Sequence, residues 1–312
     1  MGYTVSSLTD YVDQTKETLL TEMHFAGGTA DLATIHSGVK SAEALNFVVS
    51  TPVPQDGEGC GFNASGDTTF SQRTLATKAV KYQDTLCPRT LQSKWTQLLL
   101  KKGQKYDESD IPKIIINDIK EIIIQQNETA DWQGDTTSVS SYLNKYDGLR
   151  KIIKAATGTN VATASTWNST NARAIMKNVI NAIPAKLKGN PKVKILLGYD
   201  VAETYRQVLM DANLYHVAAG TKDQIGLYAE GSVHEIIPVH GLDGLSGSTG
   251  DNPFIFALDT ERNLHLGVDM ENEEEEARMW YSEDDDNVKY SFRFRRGWQI
   301  AFPGEIVEYS NS

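Results

Sequence analysis

Cysteine is scarce. Cys60 and Cys87 are the two in the chain, and neither sits in a CxxC pair or a Cys/His cluster, which excludes a zinc site of known ligand spacing. Free thiols are the expectation for both. No run of about 18 apolar residues occurs, so no membrane-spanning helix is expected. The start, Met1-Gly2-Tyr3-Thr4-Val5, has no basic segment followed by an apolar core. A soluble cytoplasmic protein is the expectation, and the glycosylation-like triplets at Asn63, Asn127 and Asn168 are then chance matches. Excess positive charge is also lacking. With 30 basic and 41 acidic residues the net charge is −11, which argues against nucleic-acid binding as the main task. No internal repeat of fixed period is found.

What remains is ordinary globular material. The chain has 312 residues, 40% of them hydrophobic and 23% charged, enough for one large domain or about two of ordinary size. Its 24 glycines promise many turns.

The most informative stretch is the last fifth. An acidic run, Glu273 to Glu276 and then Glu283 to Asp286, leads into a segment in which Val288, Tyr290, Phe292 and Phe294 alternate with Lys289, Ser291, Arg293 and Arg295. The period of two predicts a half-buried strand, and after Arg296-Gly297 the alternation resumes with Trp298, Ile300 and Phe302. A ribbon with cations on one face, next to a block of acids, suits association of like chains through charge complementarity.

Upstream, residues 1–44 read as an arm with a helical pattern around Tyr11 to Met23. From Asn46 to Cys87 the strand-like Phe47-Val48-Val49, the turn-rich Pro52 to Gly61 and a returning strand at Thr74 to Tyr82 predict a long two-stranded excursion without a core of its own. Asp110-Ile111-Pro112 opens a helix over Lys113 to Gln126, with Ile111, Ile115, Ile119, Ile122 and Ile123 on one face. A further helix is expected over Ser141 to Ala156. Then comes an α/β unit: a helix with Ala172 to Ile183, a strand Val193 to Leu197, and a helix opened by an Asp200/Glu203 capping box. Strand-like Val233 to Val239 and Pro253 to Leu258 follow.

Candidate chemistry is thin. Gly57-x-Gly59-x-Gly61 lacks the Lys-Ser/Thr of a phosphate cradle and reads as a loop tip. His234-Glu235 and His240 lie across Pro238 at a spacing no helical face can gather, so they read as strand histidines. Gly244-Leu-Ser246-Gly-Ser248 misses the nucleophile elbow at its last residue. The acidic runs have no EF-hand spacing and read as solvated. The step Leu197-Gly198-Tyr199-Asp200 is where an α/β enzyme would take a ligand, but its acidic first turn disfavours an anion. No catalytic residue, metal or cofactor is expected.

The order of parts, together with Trp132-Gln-Gly-Asp135, Asp147-Gly148-Leu149, Asn213-Leu-Tyr-His216, Ile237-Pro-Val-His-Gly241-Leu242, Asn263-Leu-His-Leu-Gly267-Val-Asp269 and Gly297-Trp-Gln-Ile-Ala-Phe302-Pro, resembles the major capsid proteins of tailed bacteriophages. The likeness is to those with the Hong Kong 97-like shell fold, in particular from phages of Bacteroidetes-type hosts, including crAss-like ones. It implies an α+β fold with an N-terminal arm (1–44), an extended loop lying over a neighbouring subunit (45–88) and a peripheral domain with a spine helix (89–135). An α/β axial domain (136–265), long peripheral strands (266–299) and a tail returning to the axial domain (300–312) complete it.

The resemblance further implies pentamers and hexamers closing an icosahedral shell around double-stranded DNA, in a virion assembled in the host cytoplasm. Scaffolding, portal and decoration proteins would be further partners, and no membrane is involved. Assembly contacts are then expected at Phe62, Phe70, Arg73, Lys78 and Lys81 of the loop, at Glu273, Glu274, Glu275, Asp284 and Asp285, and at Arg293, Arg295 and Arg296. Any disulfide of Cys60 or Cys87 would join subunits, because along a hairpin the two stand too far apart to meet. Two rivals are an encapsulin-like compartment, which shares the fold, and a small-oligomer α/β enzyme using the Asp200 step.

Overall fold

The computed structural model describes residues 15, 18–23, 25–58, 61–62, 65–87, 110–162, 166–214, 227–244, 254–269 and 277–310. Its strands are β1 (Thr34–His36), β2 (Ala42–Pro52), β3 (Gly66–Ala76), β4 (Lys78–Leu86), β5 (Asn160–Val161), β6 (Val193–Leu197), β7 (Ile236–Pro238), β8 (Ile255–Asp259), β9 (Leu264–Val268), β10 (Ala277–Ser282), β11 (Asn287–Ile300) and β12 (Val307–Tyr309). Residues 18–23 are helical, and the helices described from end to end are α1 (Asp110–Gln133), α2 (Leu149–Ala155), α3 (Ala172–Ala182), α4 (Tyr199–Asp211) and α5 (Thr260–Asn263).

The first sheet is built around β11. Its residues pair antiparallel with β4 from Val288 to Arg296, with β10 from Asn287 to Phe292 and with β9 from Arg296 to Ile300, while β1 adds to β9 in parallel. Phe292, Phe294, Trp298 and Ile300 point inward, as the period of two requires. They meet Ile123 and Ala130 of α1, with Leu20 and Met23 completing that layer. The second sheet has the order β5-β12-β8-β6-β7, and its inner strands β12, β8 and β6 are largely buried on both faces. Ile195, Leu197, Ile255 and Ala257 pack against α3 and α4, whereas Leu196, Phe256 and Leu258 pack toward Trp132, Leu149 and Ile153. Trp132 stacks on Phe256 with centroids 5.3 Å apart, so the end of α1 belongs to both sheets.

Several expectations need correction. The segment read as an arm is partly core: Leu20, Met23 and Ala30 are buried, and Thr29 is held by α1, its hydroxyl donating to Glu128 (2.5 Å) and accepting from Trp132 Nε1 (2.6 Å). Helix α1 runs past Gln126 to Gln133, and its buried stripe is Ile116, Ile123, Asn127 and Ala130, while Ile122 is 48% exposed. The helix expected from Ser141 starts only at Leu149. Upstream of it the Asp135 carboxylate accepts from the backbone and hydroxyl of Thr137, and Asp147 from those of Thr136. Such local side-chain bonds offer the backbone an alternative to helix.

The hairpin also differs. Its return strand is β3, in register from Ala42↔Ala76 to Pro52↔Gly66, and β4 is a separate strand of the first sheet. Between them Thr77 turns the chain, its N–H bonded to Ser41 O and its hydroxyl to Val39 O (2.8 Å). Here β3 crosses over β11 so closely that a Cβ on Gly297 would stand 2.1 Å from the Ala76 carbonyl oxygen. Only glycine fits there.

Arg296 is the largest departure. It does not share the cation face of Arg293 and Arg295; it lies inward, 1% exposed, with the same parity as Phe294 and Trp298. Its Nε and Nη2 donate to Asp131 at 2.7 and 2.5 Å. Asp131 also accepts from Trp298 Nε1 (2.6 Å) and Tyr146 OH (2.7 Å), four bonds in all. Burial works against the Arg296 charge, but the Asp131 carboxylate outweighs it and lifts the pKa above the ordinary arginine value. Burial, reinforced by Asp131, pushes the nearby Tyr82 up to about 12.

Asp131→Ala leaves a buried guanidinium without its partner, so stability should fall by about 3–5 kcal/mol in urea unfolding. A loss below about 1 kcal/mol would show the pair to be dispensable.

Candidate assembly surface

Two surfaces stand out as unfinished within one chain. The first is the β2–β3 hairpin. Along its strands only Leu45 and Leu75 are buried, with Phe47 and Arg73 half-buried. Val48 stands directly opposite Phe70, which is 79% exposed, and Phe62 beyond the strands is 94% exposed. Gly57 and Gly61 belong to this far end, as a loop tip requires. Beyond its root the hairpin thus carries apolar side chains, Val48, Phe62 and Phe70, that stay outside the core of their own chain.

The second surface is the outward face of β4, β10 and β11. Arg293 pairs in register with Lys81, Lys289 with Trp280, and Ser291 with both Gln83 and Arg278. Lys81 and Arg293 are exposed and Arg295 is half-buried. The β10–β11 turn holds Asp284, exposed, and Asp285, which bonds Lys289 and Ser282. Hydrogen bonding to Lys289 lowers the Asp285 pKa. Lys78 is exposed at the start of β4, opposite Arg296.

Of the residues read from sequence as contacts, the fold therefore brings Lys81, Arg293 and Arg295 to one face, places Phe62 and Phe70 far along the hairpin, and withdraws Arg296 into the core. Burial lowers the pKa of Arg73 near the hairpin root. Glu273, Glu274, Glu275 and Cys60 lie outside the described residues; Cys87 is exposed. Sequence reasoning missed Trp280, which is 41% exposed. The alternation Ala277, Met279 inward and Arg278, Trp280 outward was available to find it.

The root of the hairpin has its own polar cluster. His36 Nε2 lies 3.0 Å from His265 Nδ1, and His265 Nε2 lies 3.3 Å from the Arg262 carbonyl. A carbonyl only accepts, so His265 Nε2 carries the hydrogen and Nδ1 accepts from His36. Glu43 stands 3.7 Å from His36 Nδ1, and Phe47 rests on His265 and Phe302. Burial, then the neighbouring His36, lowers the His265 pKa.

The sites weighed for other chemistry are built differently. His234 is buried, its Nδ1 3.2 Å from the Val193 carbonyl. Neither is a strand residue: His234 precedes β7, and His240 sits in a 3₁₀ turn, stacked on Tyr199 and 3.0 Å from Asp243. The same Asp243 caps α4 by accepting from Tyr199 N–H (2.6 Å), so the cap comes from tertiary structure and not from Asp200. A cleft of about 310 Å³ beside the end of α1 is lined by Arg150, Lys151 and Lys154, with no histidine, serine or cysteine. Its Lys151 is bound to Asp135 and Asp147. No helix among the described residues is long and apolar enough to cross a membrane.

No protein-family model and no curated protein sequence matches the chain. Solved structures do. A chain of the satellite phage P4 procapsid that includes the size determination (Sid) protein superposes with a TM-score of 0.64 at 10% identity, over 95% of this chain and 90% of that one. The capsid of an empty GTA particle gives 0.57 at 12%, over 91% and 89%. A virus-like particle from Pyrococcus furiosus gives 0.51 at 12%, over 93% and 95%. At these identities the likeness shows the fold: a mixed α+β fold shared with phage capsid shells.

The hairpin root should respond to acid in one direction. Because the folded state holds the His265 pKa below its unfolded value, the unfolded chain binds the proton first. Stability present at neutral pH is then lost as pH falls below about 6.5. Urea unfolding between about pH 7.5 and 5 should show a shallower decline in His265→Gln than in the native chain; equal slopes would remove His265 as the cause.

Proposed function

We propose that this chain is the major structural protein of a phage head, without catalytic activity, and that its copies form pentamers and hexamers that close an icosahedral shell around double-stranded DNA. The observation that carries the reading is the match to capsid chains over nine-tenths or more of this chain, in a molecule whose longest hairpin is unsupported beyond its root. In this reading the Hong Kong 97-like parts are the β2–β3 hairpin as the extended loop over a neighbour, α1 as the spine of the peripheral domain, and the second sheet with α3 and α4 as the axial domain. Scaffolding, portal and decoration proteins are the further partners, and the virion, assembled in the host cytoplasm, is the place.

The shape of the hairpin supports self-association. A two-stranded ribbon is at best marginally stable alone in water, so a surface for Val48, Phe70 and Phe62 has to come from elsewhere. A compartment shell of the encapsulin kind is the second reading, favoured by the likeness to the Pyrococcus furiosus particle over 93% of the chain.

Negative-stain electron microscopy of the chain expressed alone, and together with its neighbouring genes, tests the proposal. Closed shells or rings of five or six are expected. A discrete dimer or tetramer in every condition would favour a small-oligomer enzyme instead. Genome or an enzyme inside the particles separates head from compartment. Phe62→Ser with Phe70→Ser should leave the unfolding free energy within about 0.5 kcal/mol of the native chain, since both rings are exposed, yet reduce assembly. Assembly at native concentration by this variant would remove the hairpin from the contact.

A further inference from the structure

On the outward face of β4, β10 and β11 the chain has left a charge problem unsolved. Lys81 and Arg293 are directly opposite each other, a like-charge pair that is destabilising on a sheet, and Arg295 follows two residues on. Among the described residues none of these three has an acidic partner within ion-pair distance, whereas Lys289 on the same face is taken by Asp285. The outward positions Ala79, Lys81, Gln83 and Thr85 of β4 and Lys289, Ser291, Arg293 and Arg295 of β11 include no acid at all.

The opposite imbalance lies on the hairpin. From Ser41 through Gln72 the chain has four acids, Glu43, Asp56, Glu58 and Asp67, and no lysine, arginine or histidine. Asp56, Glu58 and Asp67 are exposed and sit at the far end, around the Pro52↔Gly66 closure. Each strand of 11 residues rises about 3.3 Å per residue, so these acids stand on the order of 35 Å from the root at Ala76. Lys81 is about 15 Å from the same root by that spacing. Both hairpin faces are exposed, so the tip is not folded back onto its own sheet.

We propose that the acidic hairpin tip of a second copy of this chain seats on the Lys81–Arg293–Arg295 face, as a salt-sensitive latch that sets which part of one subunit meets which part of the next. This rests on the self-assembly reading and adds to it the two charged surfaces that meet. Trp280 on the same face gives the exposed rings of Phe62 and Phe70 an aromatic neighbour. Nucleic acid is the less favoured occupant, because the chain carries a net charge of −11 and itself supplies a complementary segment.

The test is charge reversal with rescue, read by sedimentation velocity and electron microscopy at low and high salt. Lys81→Glu with Arg293→Glu, and separately Asp56→Lys with Glu58→Lys and Asp67→Lys, should each raise the concentration for half-assembly at least about tenfold, and the five together should restore it. All five side chains are exposed, so circular dichroism and the unfolding midpoint should stay native. Native-chain assembly should weaken as salt rises.

Reversals that assemble like the native chain overturn the latch and leave the shell reading standing. Loss of assembly without rescue overturns it as well. Rescue of the reversed face by Glu273→Lys, Glu274→Lys and Glu275→Lys instead would give the seat to that acidic run. Normal assembly of the reversed face with loss of binding to a labelled DNA duplex would make it a nucleic-acid surface. A native chain that stays monomeric in every condition overturns both proposals.

Discussion

The bond between Asp131 and Arg296 is the constraint on which the rest of the structure turns. It ties α1 to the middle of β11, and the same carboxylate takes Trp298 from the strand and Tyr146 from the segment leading to α2. Removing two charges from water is costly, and this pair offsets the cost through complete satisfaction of the carboxylate in a close, bidentate geometry. The pair also defines register. A slip of β11 by one residue would turn Arg295 into the core and Phe294 and Trp298 to water, so the only tolerated alignment is the one that brings Arg296 to Asp131.

From that point order spreads along the last turns of α1. Asn127 accepts from Tyr82 OH on β4 and donates to the Met23 carbonyl, and Glu128 holds Thr29. Burial, with Asp131 nearby, raises the Glu128 pKa, while the Thr29 bonds favour its charged form. Gly241 lies so near that a Cβ would meet the Trp132 ring at 2.3 Å, which brings the turn after β7 onto α1. One helix end thereby joins the N-terminal segment, both sheets and the turn at His240. Against this well-tied body the hairpin is the exception: its backbone is paired within itself, but its side chains gain little burial. A rigid body with one under-supported, charged and apolar-tipped extension is what repeated association of identical chains requires, since each copy offers both the extension and a place for it.

Much of this was legible beforehand because the relevant physics is local. The period of two in Val288 to Phe294 is a statement about pleated backbone, and it survived as β11. The same rule, carried without a break through position 296, places Arg296 inward; taking Arg296-Gly297 as an interruption hid that. A charged residue on an apolar face is a signal that a partner exists, but nothing local indicates that the partner is Asp131, far away along the chain. Helix α1 was legible from its isoleucines, but its buried stripe was not, because five of them fit several rotations and only Leu20, Met23 and the sheet choose among these. Residues 25–36 looked loose for the same reason: Thr29 and Ala30 have no periodicity, and their order comes from Glu128 and Trp132.

By itself, then, the sequence determined the long alternating strand β11, the helices α1, α3 and α4, the acidic overall balance and the existence of a long hairpin with glycine turns. These follow from backbone sterics, hydrophobic period and composition, which act within a few residues of one another. Tertiary structure alone decided that Arg296 is a core residue, that Lys81 and Arg293 face each other without an acid between them, that Asp243 and not Asp200 caps α4, and that His36 meets His265. Each of those depends on which strands lie side by side, and that is settled by burial of whole faces and by satisfaction of buried polar groups across the fold.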